Sequence, residues 1–145
     1  MKIREAVISY TETEHEFDHT DVSSADKVAS YMRGAIDFRP EQEQLWVIFL
    51  DTQMQALGRY LCTLGTLDST VIHPREVFRP AMLANAHSII LVHNHPSGNT
   101  QPSSADDQAT RQLSHTGQLL GIPLIDHVIL GDGLYSYAAC GSRFL

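Results

Sequence analysis

Two stretches of the chain, "LWVIFLD" at residues 45–51 and "SIILVH" at residues 88–93, constrain its fold more than any other feature. In both, apolar side chains occupy successive positions instead of alternating with polar ones. Neighbouring side chains on a strand point to opposite faces, so strands of this kind bury both sides. They belong in the middle of a sheet that is covered above and below. Neither run approaches the roughly 18 residues of a membrane helix, and "MKIREAVISY" lacks the apolar stretch of a signal peptide. A cytoplasmic protein with no membrane association is the expectation.

The remaining segments supply what must cover such a sheet. Val28, Tyr31, Met32, Ala35 and Ile36 recur at helical spacing after Ser23 and Ser24, either of which can cap a helix that Pro40 cannot continue. "ALGRYLCTLGTLD" predicts a strand ending near Gly65, the hairpin neighbour of the first apolar run. "HPREVFRPAMLANAH" predicts a helix with Pro74 at its first position, and Pro80 predicts a break or a fresh start within it. A further helix starts at Ser103 or Ser104, carries Ala105, Ala109 and Leu113, and closes at Gly121. "PLIDHVILG" and "LYSYAA" then form two strands joined by a Gly-Asp-Gly turn. At the amino end, "MKIREAVISY" reads as a first strand with Ile3, Val7 and Ser9 on one side, and "TETEHEFDHTD" as a polar loop with solvated His15 and His19. With 145 residues and no internal repeat, the chain reads as a single domain, residues 1–145, built on a mixed sheet flanked by helices.

The second apolar run ends in chemistry. His93 and His95 stand two residues apart, so on a strand they point the same way from positions about 6.6 Å apart. They lie where the apolar run stops, at the carboxyl end of the strand, where open sheets place ligands. Pro96, Ser97 and Gly98 turn the chain, and Asp106 falls in the first turn of the next helix, where the helix dipole favours an ionised carboxylate. Two neutral imidazoles and a carboxylate suit Zn2+ and leave one position for water. A purely structural account is also open: Ser103 and Asp106 have the spacing of an N-capping pair, and a strand histidine can be satisfied by a backbone carbonyl. Cys62 and Cys140 lack the spacing of a metal-binding pair and are expected to be structural thiols.

The chain carries 10 Lys and Arg against 17 Asp and Glu, a net charge of −7, and shows no basic cluster. Phosphate neutralisation depends on such clusters, so a dedicated nucleic-acid binder is disfavoured, although distant residues can still assemble a small basic patch. The adjacent letters His-Asn-His are not the dispersed residues that give HNH nucleases their name. Zinc nucleobase deaminases need H-x-E followed by P-C-x-x-C, and the chain has neither.

"HNHPSGNTQPSSAD" resembles the JAMM, or MPN-plus, signature His-x-His-Pro-x6-Ser-x-x-Asp at His93, His95, Pro96, Ser103 and Asp106. "VIFLD", "GTL", "HPREVF", "LVHNHPSG" and "LIDHVILG" are similar to blocks of the RadC family, so the likeness runs from about residue 23 to residue 140. The resemblance implies a three-layer α/β/α sandwich with a mixed central sheet, of the JAMM/MPN and cytidine-deaminase-like architecture. It also implies one zinc ion per chain, held by His93, His95 and Asp106, in a metallopeptidase or isopeptidase that cleaves an amide of a peptide or protein through an activated water. Ser103 would donate to the oxyanion, and a glutamate would act as general base.

Glu43, just before the strand "LWVIFL", has the placement of the JAMM catalytic glutamate and is the expected base, with Glu76 in "HPREVF" as the alternative. His127, in "LIDHVILG", is expected to be a structural or supporting group instead of a fourth ligand. RadC proteins generally carry an amino-terminal helix-hairpin-helix region, and this chain is expected to be a short form without it. The rival reading is a DNA-repair or replication-associated interaction module. Exposed strand edges leave room for a homodimer.

Overall fold

In the computed structural model, described over residues 2–7, 9–16, 20–37, 41–65 and 72–145, the two apolar runs lie side by side within a five-stranded sheet. Strand β1 (Gln44–Leu50) pairs antiparallel with β2 (Ala56–Leu64) on one side and with β3 (Ser88–Asn94) on the other. Strand β4 (Leu124–Leu130) runs parallel to β3, and the short β5 (Leu134–Ser136) closes the far edge antiparallel to β4. The order β2-β1-β3-β4-β5 makes the sheet mixed, with both runs away from its edges.

Strand parity sorts the core into two halves. Leu45, Val47 and Phe49 of β1 join Ile89 and Leu91 of β3 against Val77, Phe78 and Ala81 of α2 (Pro74–Leu83) and Ala109 and Leu113 of α3 (Ser104–Leu120). The other parity, Ile48, Leu50, Ile90 and Val92, packs on Val28 of α1 (Ala25–Tyr31) and on Met32 and Ile36 just beyond it. The result is a three-layer α/β/α sandwich, as the resemblance implies. Each fully buried side chain of this size stabilises by about 1.5–3 kcal/mol, which is why a run apolar on both faces ends up covered on both faces.

Local chemistry starts and stops the helices. The Ser24 side chain accepts from the Lys27 N–H at the head of α1, and Ser103 caps α3. Gly121, at φ 70°, ends α3 in the left-handed region that a side chain would resist.

Three expectations are corrected. Pro80 neither breaks nor restarts α2, which runs unbroken from Pro74 to Leu83. The missing N–H costs up to about 3 kcal/mol, but Val77, Phe78 and Ala81 are seated in the core and hold the segment in place. The last strand stops at Ser136, short of the Ala138 and Ala139 that its sequence promised. The Asp126 carboxylate accepts from the Ser136 hydroxyl at 2.6 Å and from the Ala138 N–H at 3.0 Å, which draws the chain off the sheet. The first strand expected in "MKIREAVISY" does not form among the described residues 2–7 and 9–16. Ile3 and Val7 are 94% and 85% exposed, so no apolar burial offsets the entropy of ordering them. His15 is exposed, as a solvated loop histidine should be, while His19 and Pro40 lie outside the described residues. Among the described residues no helix is long and apolar enough to cross a membrane.

Candidate metal centre

The register of β1 against β3 decides what meets at the end of the central strands. Leu45 pairs with His93, and Glu43 and His95 each lie two residues beyond that pair, on the same parity and just past the ends of β1 and β3. Opposed residues share a face, so Glu43, His93 and His95 all project towards the α2/α3 layer. On that side the first turn of α3 delivers Asp106.

The four side chains converge. Asp106 Oδ1 lies 3.2 Å from His93 Nε2, and Asp106 Oδ2 lies 3.2 Å from His95 Nε2. The two Nε2 atoms are 3.0 Å apart, and Glu43 Oε1 stands 4.0 Å from His93 Nε2. One ligand atom from each of the four residues fits within a 4.8 Å span.

The capping account and the site account turn out to be compatible. Asp106 N–H donates to Ser103 Oγ at 3.1 Å, and Ser103 N–H donates to Asp106 Oδ2 at 2.7 Å, a reciprocal capping box. That same Oδ2 faces His95, so the cap aims the carboxylate into the cluster.

Electrostatics favour a cation here. His93 and Asp106 are 0% and 1% exposed. Burial raises the Asp106 carboxyl, but the adjacent His93 imidazole and the Ser103 hydrogen bonds outweigh it and hold Asp106 below the usual carboxylate range. Among the described residues no Lys or Arg pairs with Glu43 or Asp106, which leaves an imidazole proton or a bound ion as the neutralising charge. His95 Nδ1 lies 2.7 Å from the Asn99 carbonyl oxygen, which can only accept, so the neutral ring turns the lone pair of Nε2 to the cluster. Imidazole nitrogens and carboxylate oxygens arranged this way fit a divalent metal ion.

Other residues singled out in the sequence fall elsewhere. Glu76 is outside the cluster, 37% exposed at its side chain, and pairs with Arg79 at 3.2 Å and Arg75 at 3.5 Å. The Ser103 hydroxyl oxygen serves the cap, which leaves its proton free to donate. His127 is buried directly behind His93, its Nε2 2.7 Å from His93 Nδ1. Burial and the neighbouring His93 charge hold His127 well below the ordinary imidazole value. Cys62 and Cys140 are free thiols outside the cluster, and burial pushes the Cys62 thiol up to about 12.

One contributor escapes the sequence. Asn94, between the two histidines, points to the opposite face, where its Oδ1 accepts from Gln44 N–H at 2.8 Å and its NH2 donates to the Gln42 carbonyl at 2.9 Å. The two bonds grip the backbone on either side of Glu43. A polar side chain one step past "SIILVH", on the parity opposite the histidines, was the only available signal.

Fold and cluster together define an α/β/α domain with a His-His-Asp-Glu site of metal-ligating character at the end of its central strands. Residues 22–142 match the family described as RadC-like JAB domain, and the chain belongs to that family. A UPF0758 protein of Chlorobaculum parvum is 50% identical over 111 residues, which cover 77% of this chain and 50% of that protein. A UPF0758 protein of Chlorobaculum tepidum is 51% identical over 111 residues, with 77% of this chain and 50% of that protein covered. One from Thermosynechococcus vestitus is 48% identical over 93 residues, 64% of this chain and 37% of that protein. The chain therefore spans half or less of the length of these curated relatives. Family and cluster fit a JAMM-type metal site.

Proposed function

We propose that this domain is a zinc-dependent hydrolase of the JAMM type that cleaves an amide bond in a peptide or protein, with His93, His95 and Asp106 as the ligands. The observation that carries the reading is the convergence of these three side chains and Glu43 within 4.8 Å, in a chain that belongs to the JAB domain family. When bound, zinc supplies Lewis acidity, enough to bring the pKa of water down to about 7.

The chain's own residues do the rest. Glu43 stands 4.0 Å from His93 Nε2, further back than the 3.2 Å contacts of Asp106, and its side chain is 18% exposed. That position suits a base that takes a proton from the attacking water and hands it to the leaving nitrogen. The Ser103 hydroxyl, beside Asp106, donates to the developing oxyanion.

The test pairs elemental analysis with one substitution. Purified protein should contain one zinc per chain. Glu43→Gln should keep that zinc while hydrolysis of peptide and isopeptide probes falls about 10²- to 10⁴-fold. A metal-replete wild type with no activity on any amide probe would sink the hydrolase reading.

A further inference from the structure

The hydrogen bonds behind His93 form a relay whose direction is set at its far end. Thr110 Oγ1 lies 2.7 Å from the Asp106 carbonyl oxygen, and two oxygens that close repel unless a proton lies between them. A carbonyl only accepts, so Thr110 spends its proton there. Thr110 Oγ1 must then accept from His127 Nδ1, 2.6 Å away. A neutral imidazole holds one proton, so His127 Nε2 carries a lone pair and accepts from His93 Nδ1 at 2.7 Å. His93 is left with the lone pair of Nε2, 3.2 Å from Asp106 Oδ1 and 3.0 Å from His95 Nε2. Those contacts need a cation between them or, without one, a proton carried by His95.

Reversing any link would put the His93 proton on Nε2, where an ion has to sit. Thr110 and His127 are 0% and 1% exposed, so solvent does not offer them other partners. Tyr137 stacks on the His127 ring at 5.1 Å and 9°, and its hydroxyl donates to Asp107 Oδ1 at 2.7 Å, which fixes the plane of the relay.

We propose that Thr110, acting through His127, fixes the proton of His93 on Nδ1 and so keeps Nε2 open for a metal ion. Both are positioning residues, and the inference rests on the metal-centre reading above. It goes beyond that reading by assigning the selection of a ligand's tautomer to a threonine on α3 that touches no ligand side chain.

Metal-free protein with 15N-labelled histidine, observed by long-range 1H–15N correlation above pH 8, should show His93 protonated at Nδ1. Thr110→Val keeps the side-chain shape without the hydroxyl. It should produce a tautomer mixture at His93 and weaken zinc binding about 10- to 100-fold in chelator competition. Thr110→Ser should restore both. His93 protonated at Nε2 in the wild type overturns the relay, and that spectrum decides the matter even if Thr110→Val fails to fold. Unchanged His93 signals and zinc affinity in Thr110→Val overturn it too. A wild type that takes up no zinc defeats the metal-centre reading instead, while the tautomer spectra still judge the relay.

Discussion

The two faces of the central sheet are made from alternate residues of the same strands, yet they finish differently. On the α1 face, Ile90 and Val92 continue the apolar packing to the end of β3, and Asn94 follows with both ends of its amide bonded to backbone. On the α2/α3 face, Ile89 and Leu91 give way to His93 and then His95, and polar contacts spread to Asp106, His127 and Thr110. A strand with period-two geometry can thus anchor itself with one parity and carry a site with the other. Substitutions on the two faces should therefore separate stability from metal binding.

The sharpest break of that comparison is loss of the metal. His95→Ala and Asp106→Ala should each abolish stoichiometric zinc in elemental analysis while far-ultraviolet circular dichroism stays native. Asp106→Ala should also lose about 0.5–2 kcal/mol of stability with its helix cap. Retention of one zinc per chain in both variants would mean that the metal does not sit on this face. Next in size, Ile90→Ala on the α1 face should cost about 2–5 kcal/mol in urea melts and leave zinc content untouched. Zinc loss at a native-like melting point would erase the distinction between the faces.

Asn94→Ala tests the link between the two sides, because its amide acts on the α1 face while Glu43 projects from the other. It should cost about 1–3 kcal/mol for the backbone groups left unpaired, keep zinc, and lower turnover through a loosened Glu43. Full activity would show that the bracket is structural only. The smallest effect belongs to Glu76→Gln, away from the cluster, which should change stability by no more than about 1 kcal/mol and turnover not at all. A dead Glu76→Gln would move the general base from Glu43 to α2.

Much of this was legible because it is local. The strands β1 and β3, the Ser103 cap and the Gly121 stop each depend on residues within a few positions of one another. The failures were non-local. Pro80 stays inside a helix because core side chains hold it there, and β5 ends early because Asp126, on the neighbouring strand, pulls the chain aside. The amino-terminal alternation reads as a strand, but no sheet edge takes up its described residues.

The site divides along the same line. Spacing placed His93 and His95 on one face and Asp106 in the first turn of α3, since two residues along a strand and three past a helix cap are matters of bond geometry. The family resemblance pointed to Glu43 ahead of Glu76, and the fold brings Glu43 to the cluster. That Asn94 braces Glu43 from behind and that Thr110 stands at the end of a relay through His127 came only with folding. Those neighbours are separated by tens of residues, and their meeting depends on strand register and on how α3 packs across the sheet. Such distances follow from the balance of many buried contacts, which no short stretch of chain contains.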